Sequence, residues 1–464
     1  MKISKAVAKD VLNILLSTGG EYSEIYFQDR ITHNYVRRYK QVHAVKVSQE
    51  FGVGLRIISG ENVVYGYTSD LSKASLVNLA SELSKGLSGK QKVTCPDLVI
   101  KKVKQLNKIK APHSSWSDEK KLMYLEEGEK VAYLYSPSVQ DVLASLFEED
   151  EHIEVYNSEG YIFSDDRTRT RITGMVIATD GKEFQQASSG PGAGKGIELL
   201  EEVDFKELMK GVAKDAVDLL SAIDGPSGNY PVVIGNHFGG VLFHEACGHP
   251  LEGNSISHNT SPFANKLNQK IASDVVSAID DGTILNSWGS ISVDDEGILP
   301  TKNQLIKNGI LTSYMLDRYT SKKINGKFTP TGSCRRESYK YIPTTRMTNT
   351  YIDAGSSDPK DIIASVKEGI YCKGFTGGQV DPATDQFMFT SDIAYLIKDG
   401  KISSMIKPVS LIGYGYEILQ KITMVGNDLS LAPGLCGSSS GTCFVTVGQP
   451  TLLVSSILVG GQGE

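Results

Sequence analysis

Apolar residues recur at helical spacing through the first twenty positions, "MKISKAVAKDVLNILLSTGG", and Gly19-Gly20 ends the run, which predicts an amphipathic helix. Charges at Lys5, Lys9 and Asp10 interrupt the apolar stretch, so it does not read as a signal peptide. From 22 to 68 the pattern shifts to alternating and β-branched, as in "QVHAVKVSQEFGVGLRIISGENVVYGYTS", with a hairpin turn expected at 60–62. Helical spacing returns at Leu76, Leu79, Ala80 and Leu83 and stops near Gly86. Residues 88–115 are lysine-rich and aperiodic, which suits a linker. A helix then starts at Ser117 or Asp118, strands run to about 187 with turns at 158–160 and 180–181, and "DFKELMKGVAKDAVDLLSAI" closes a second unit. Gly, Pro, Ser and Asn cluster at 225–233, marking a boundary, and beyond it strand-like runs alternate with glycine around one helix expected at 361–371. The pattern as a whole is α+β: an N-terminal α/β unit over 1–87, a linker over 88–115, a middle α+β unit over 116–224 and a large strand-rich unit over 228–464.

Composition narrows the function classes. A chain of 464 residues with 40% apolar and 22% charged residues has the make-up of a soluble globular protein, expected in the cytoplasm. The net charge of -6 gives no electrostatic footprint for nucleic acid, and no run approaches the roughly 18 apolar residues of a membrane helix. The six cysteines are scattered without a disulfide framework and read as reduced thiols, free to bind a metal. "SSGPGAGKGIE" at 188–198 resembles a phosphate-binding loop but has Ser189 and Gly196 where that pattern needs glycine and a hydroxyl residue. A flexible surface loop with no helix directly after it is the expectation there.

The segment "VLFHEACGHPLEGN" at 241–254 carries the most chemistry. A buried strand, "YPVVIG", precedes it, and Asn236 stands where a helix N-cap would. His244 and His249 bracket Glu245 in a chain with only eight histidines. Zinc-protease helices place two histidines four residues apart on one face. Five residues apart, they would diverge by about 140° on an ideal helix, because each residue turns about 100°. If both are to reach one ion, either a π turn or a sharp exit near Gly248, ahead of Pro250, must distort the helix. Glu245 then stands where a general base belongs. Catalytic zinc takes three protein ligands and keeps a fourth position for water, so a third ligand is owed. Spacing leaves His237, His258, Cys247, Asp294, Asp295, Cys436 and Cys443 open. Cys247 reads as a small core residue, the aspartates in "VDDEG" as a hairpin turn and Cys443 as strand core; Cys436, in a glycine-flanked loop, is favoured.

HEACGH followed by "PLEGN" resembles the H-E-x-x-G-H motif of the TldD/PmbA family, in its TldD-type subunit. "VDDEG", "TPTGSCRRESY", "PTTRMTNTYI", "GIYCKGFTGGQVD", "LIGYGYEIL", "MVGNDL" and "VGQPTLLV" follow in the family's order over roughly 228–460. The resemblance implies a cytosolic metallopeptidase acting on unfolded polypeptides or peptide precursors, with one Zn2+ per chain held by His244, His249 and Cys436 and with Glu245 as general base. It also implies a homodimer, or a heterodimer with a PmbA/TldE-like subunit that lacks the metal motif. Pro250 and Asn254 depart from the glycine and aspartate more usual in the family, without removing a ligand or the base.

Tyr339, Arg335, Arg336 and Arg346 are candidate oxyanion donors, each as readily explained by a structural role. "FTGGQVD" at 375–381 suggests an exposed strand edge to which a peptide adds as a further strand. The competing reading is a scaffold or regulatory subunit with a structural metal, which would be closed by a fourth protein ligand. Glu245 beside the first histidine argues against it, since a structural site has no use for a base.

Overall fold

The computed structural model describes residues 1–324, 328–381 and 385–461. Helix α1 (Lys5–Leu16) buries Ala8, Val11, Leu12, Leu15 and Leu16 on one face, and Ser4 Oγ caps it by accepting from the Val7 amide. Strands β1 (Tyr22–Arg38) and β2 (Gln41–Ser59) form a long hairpin, and β3 (Asn62–Thr68) follows through Gly60, whose φ of 57° suits glycine. Helix α2 (Lys73–Ser84) packs on the same side as α1. After α3 (Asp118–Tyr135), strands β4 (Val139–Asn157) and β5 (Tyr161–Thr179) extend the first sheet to the order β3-β2-β1-β4-β5. The chain on either side of the lysine-rich stretch therefore builds one antiparallel sheet. Within that stretch Val99–Ile100 pair parallel to β5, and Cys95 and Leu98 are buried. Helix α4 (Phe205–Leu219) lies across α3 so closely that a Cβ at Gly128 would sit 2.4 Å from the Phe205 ring.

On this sheet His152 stands between Asp166, 2.6 Å from Nδ1, and Glu154, 3.4 Å from Nε2. The hydrogen bonds to Asp166 and Glu154 outweigh burial and raise its pKa to about 9. Raised above its unfolded value of about 6.5, the imidazolium contributes stability that is full below pH 6.5 and lost as pH rises through 9. The expected result is a melting temperature for His152→Gln about 2 °C or more below wild type at pH 6, with the gap closing by pH 10. A gap constant across that range would show that the ion pair contributes nothing.

Among the described residues the remaining chain forms two large sheets around a second core, together with a small two-stranded one in which Cys334–Arg335 pairs with Thr344–Thr345. In chain order the strands that matter are β6 (Gly228–Ile234), β7 (Asn349–Ile352), β8 (Glu368–Cys372), β9 (Phe375–Asp381), β10 (Gln386–Ser391), β11 (Ser410–Tyr414), β12 (Ser430–Ser438), β13 (Gly441–Gln449) and β14 (Leu452–Gly460). One sheet runs β9-β10-β11-β14-β6-β8 and on to Ala394–Lys398 and Lys401–Ile406. The other starts at Ile310–Leu311, passes through Lys302–Lys307 and Ala278–Asp281, and ends β7-β13-β12. Both β9 and β12 are thus sheet edges. Phe243, Leu251, Phe387, Phe389 and Leu452 lie in the core of this part, fully buried. Among the described residues no helix is long and apolar enough to cross a membrane.

Two sequence expectations change. The helix expected at 361–371 is only Pro359–Ala364, and Glu368–Cys372 is instead β8, because Ile370 and Cys372 pair between β6 and Ala394–Lys398 inside the sheet. The glycine run at 188–198 is no flexible loop: a Cβ at Gly190 would meet the Ile172 carbonyl at 2.1 Å, and a short helix, Glu198–Glu202, follows it directly. "VDDEG" forms a turn, and that turn is buried. Asp294 accepts from the amides of Glu296, Ile298 and Cys334, and Asp295 accepts from Arg167 and from the Arg336 amide.

Candidate metal centre

Strand β6 delivers the chain through Gly235 to a short 3₁₀ turn, His237–Gly240, and then to one helical turn, Val241–Phe243. Asn236 occupies the cap position, but its amide donates to the Asp428 carbonyl instead of capping. Residues His244–Gly248 wind as a π turn, and a 3₁₀ turn, His249–Leu251, follows. The wider π turn solves the five-residue spacing: both imidazoles reach the same side, with ring centroids 5.1 Å apart and planes at 82°. Gly248 is needed for packing and not for unusual dihedrals. Its φ and ψ are both -58°, yet a Cβ would lie 2.2 Å from Met347 Sδ. Pro250 sits in the 3₁₀ turn, His249–Leu251, that follows the π segment.

The third side chain arrives from 187 residues away. Cys436 lies in strand β12, directly across the hairpin from Cys443 in β13, and not in a loop. Its Sγ is 3.2 Å from His244 Nε2 and 3.2 Å from His249 Nε2. Burial opposes ionisation of this thiol, but His244 and His249 bring it down to about 3, so the thiolate, the ligating form, is favoured. His249 is held well above the usual imidazole range, because Glu252 and Cys436 outweigh its burial. Glu252 Oε2 is 3.3 Å from His249 Nδ1 and so turns Nε2 toward the thiol. Arg346 secures the hairpin, donating from Nη2 to the Cys436 carbonyl and from Nη1 to the Gly441 carbonyl at 2.7 Å.

Among the described residues these three form the only group of histidine, cysteine or acidic side chains spaced to hold a metal, their ligand atoms all within 4.8 Å of one another. The donor set fits an ion. Tetrahedral zinc with ordinary Zn–N and Zn–S bonds separates nitrogen from sulfur by about 3.5 Å, close to the spacing here. The other candidate ligands lie elsewhere: His237 and His258 are exposed, and Cys247 is fully buried with Sγ 3.8 Å from the Gly415 carbonyl. Cys443 points at Arg346, with Sγ 3.7 Å from Nη1.

Glu245, 21% exposed, stands beside the cluster with Oε2 3.8 Å from His249 Nε2, and no hydrogen bond engages its carboxylate among the described residues. A cavity of about 780 Å³ opens over it, lined by Glu245, His249 and Pro250 and bordered by Val380 of β9 and Ser438 of β12. Both sheet edges therefore flank the opening. None of the expected oxyanion donors lines it. Arg335 donates to the Met347 carbonyl, Arg336 joins a buried ion cluster, Tyr339 packs against Tyr67, and Arg346 supports the hairpin. The metal-motif spacing does not point to Glu252, and the signal for it is its place three residues after His249, one helical turn on.

Comparison with known proteins agrees with this architecture along the whole chain. Residues 23–86 match the family description "PmbA/TldA metallopeptidase domain 1", 111–222 the central domain and 227–461 the C-terminal domain of the same family. A metalloprotease TldD homolog of Buchnera aphidicola is 36% identical over 455 residues, covering 95% of this chain and 93% of that one. Its counterpart in Haemophilus influenzae is 35% identical over 469 residues, covering 99% and 97%. The crystal structure of TldE from Thermococcus kodakarensis superimposes with a TM-score of 0.75 at 19% identity, covering 95% of this chain and 97% of that one, so the fold is shared. With three consecutive domains matched and relatives aligned nearly end to end, this chain belongs to the TldD/PmbA family of metallopeptidases.

Proposed function

We propose that the protein hydrolyses peptide bonds of unfolded polypeptides or peptide precursors, using one zinc ion held by His244 Nε2, His249 Nε2 and Cys436 Sγ, with Glu245 as general base. The observation that carries this is the convergence of two imidazoles on a thiolate, each 3.2 Å from it, beside a carboxylate with no hydrogen bond among the described residues. When bound, the ion supplies Lewis acidity, polarising the scissile carbonyl and lowering the pKa of water. Glu245 takes the proton of the attacking water and delivers it to the leaving amine. Glu252 keeps His249 in the tautomer that offers Nε2, and Arg346 holds the Cys436 strand in place.

The cavity is within the range of small-ligand pockets, about 300–1,000 Å³, which suits a few residues of extended chain and not a folded domain. The β9 edge beside it offers backbone groups to an added strand, which favours broad sequence tolerance. We extend the proposal to assembly and location. The subunit pairs with a second copy or with a TldE-like chain of the same fold, and it works in the reducing cytoplasm, consistent with six free cysteines.

The test is metal content of the purified protein, wild type and Cys436→Ala side by side. About one equivalent of zinc in wild type is expected, falling to background in the variant. Full retention in Cys436→Ala would reject the ligand set, and a metal-free wild type supplied with zinc would favour a non-catalytic scaffold.

A further inference from the structure

Among the described residues three carboxylates line the cavity over the candidate metal centre, Glu245, Glu252 and Asp385, and no lysine or arginine does. Two of them have cationic neighbours: Glu245 is 3.8 Å from His249, and Glu252 lies between His249 at 3.3 Å and Arg346 Nε at 3.8 Å. Asp385 has none among the described residues, where no ion pair within 4.0 Å involves it. It precedes β10 with a left-handed φ of 62° and is only 7% exposed. Its Oδ2 accepts from the Tyr416 amide at 2.9 Å, and its Oδ1 is buried with no hydrogen-bond partner among the described residues. Room for Oδ1 comes from Gly415, where a Cβ would stand 2.9 Å from it. The same Cβ would lie 2.1 Å from the carbonyl of Ala246, the residue after Glu245, so Gly415 is wedged between the π turn and Asp385.

A buried carboxylate with an empty acceptor is expensive to keep unless a ligand supplies the opposite charge. Burial accordingly holds the Asp385 carboxyl above the ordinary range, against the amides of Tyr416 and Gly415. Resting on the peptidase reading above, we propose that Asp385 is a specificity-determining residue: its free Oδ1 binds a cationic nitrogen of the peptide, the α-ammonium or a lysine or arginine side chain, and so sets where the chain lies against Glu245. The two sources share one chemistry, a hydrogen-bonding cation presented to a buried carboxylate.

The test uses the zinc-loaded full-length chain carrying Glu245→Gln to slow turnover, with and without Asp385→Asn. Asparagine keeps an oxygen for the Tyr416 amide and nearly the same volume, so a purely structural aspartate would tolerate it with little change in binding. Affinity is measured by fluorescence anisotropy for four forms of one unfolded lysine-containing peptide: unmodified, N-acetylated, lysine replaced by norleucine, and both changes together. The parent chain is expected to bind the unmodified peptide about tenfold or more tightly than the doubly neutral one, and Asp385→Asn is expected to abolish that ratio by weakening only the cationic forms. Loss on acetylation assigns the α-ammonium; loss on norleucine substitution assigns the side chain. Equal affinity for all four peptides, or a ratio that survives in Asp385→Asn, would overturn the proposal. Cleavage by the chain with Glu245 intact is scored separately. Cation-selective binding without cleavage would reject the peptidase reading and keep the subsite, and cleavage without cation selectivity would do the reverse.

Discussion

Replacing Glu245 by glutamine is expected to lower kcat for peptide cleavage by about 10³-fold while leaving zinc content and KM near wild type. General acid–base groups contribute about 10²–10⁴-fold, and at 1.36 kcal/mol per decade the expected loss is about 4 kcal/mol of transition-state stabilisation. Glutamine preserves the shape of the side chain and its place on the cavity wall but cannot accept the proton of the attacking water. Two features of the site make the separation of chemistry from structure clean. Among the described residues Glu245 makes no hydrogen bond through its carboxylate, and it is not one of the three side chains whose ligand atoms converge. A fall confined to kcat therefore reports an interaction made in the transition state, whereas a rise in KM alone would make Glu245 a substrate-binding group. Zinc lost together with activity would instead place Glu245 among the ligands. Activity within tenfold of wild type, with metal intact, would remove it from the proton-transfer role.

How much of this was legible in the sequence depended on range. Local periodicity was enough for α1, whose apolar face shows at Ala8, Val11, Leu12 and Leu15, and for the hairpin turn at Gly60. The five-residue spacing of His244 and His249 required a distorted helix if one ion were to be shared, and a π turn is the form that distortion takes. What spacing left open was the reason for glycine at 248. The demand comes from the sulfur of Met347, ninety-nine positions away, which no local pattern encodes. Cys436 looked like a loop residue because glycines flank it, yet pairing with β13 makes it a strand residue, and pairing partners are set by tertiary contact. For the same reason "DIIASVKEGIY" read as one helix. The sheet claims Ile370 and Cys372, and the helix stops at Ala364. Asp385 carried no signal at all, since an aspartate before a strand is ordinary turn chemistry until burial and an empty acceptor are seen together.

The interface between the first sheet and the half that carries the candidate metal centre was also invisible in sequence, and it sets the second large effect: Arg336→Met is expected to destabilise the protein by about 3–5 kcal/mol. Arg336 is fully buried, donates to Glu24 of β1 at 2.8 Å and to the Asp295 carbonyl at 2.9 Å, and lies over the Tyr26 ring at 4.1 Å. Glu24 also accepts from Arg56 at 2.7 Å, and Arg56 reaches Glu296, so strands of the first sheet and the "VDDEG" turn share one charge network. Burial alone would push the Glu24 carboxyl up; Arg56 and Arg336 together outweigh it and hold it below the ordinary range. Methionine fills much the same space, so the cost comes from leaving Glu24 and Asp295 short of a cation and not from a cavity. That origin is testable by a double-mutant cycle in urea unfolding. Adding Glu24→Gln removes the uncompensated charge and is expected to make the double variant more stable than Arg336→Met alone, a coupling of about 1–3 kcal/mol. Simple additivity of the two substitutions, or a single-variant cost within about 1 kcal/mol, would mean that packing, and not charge pairing, joins the two halves.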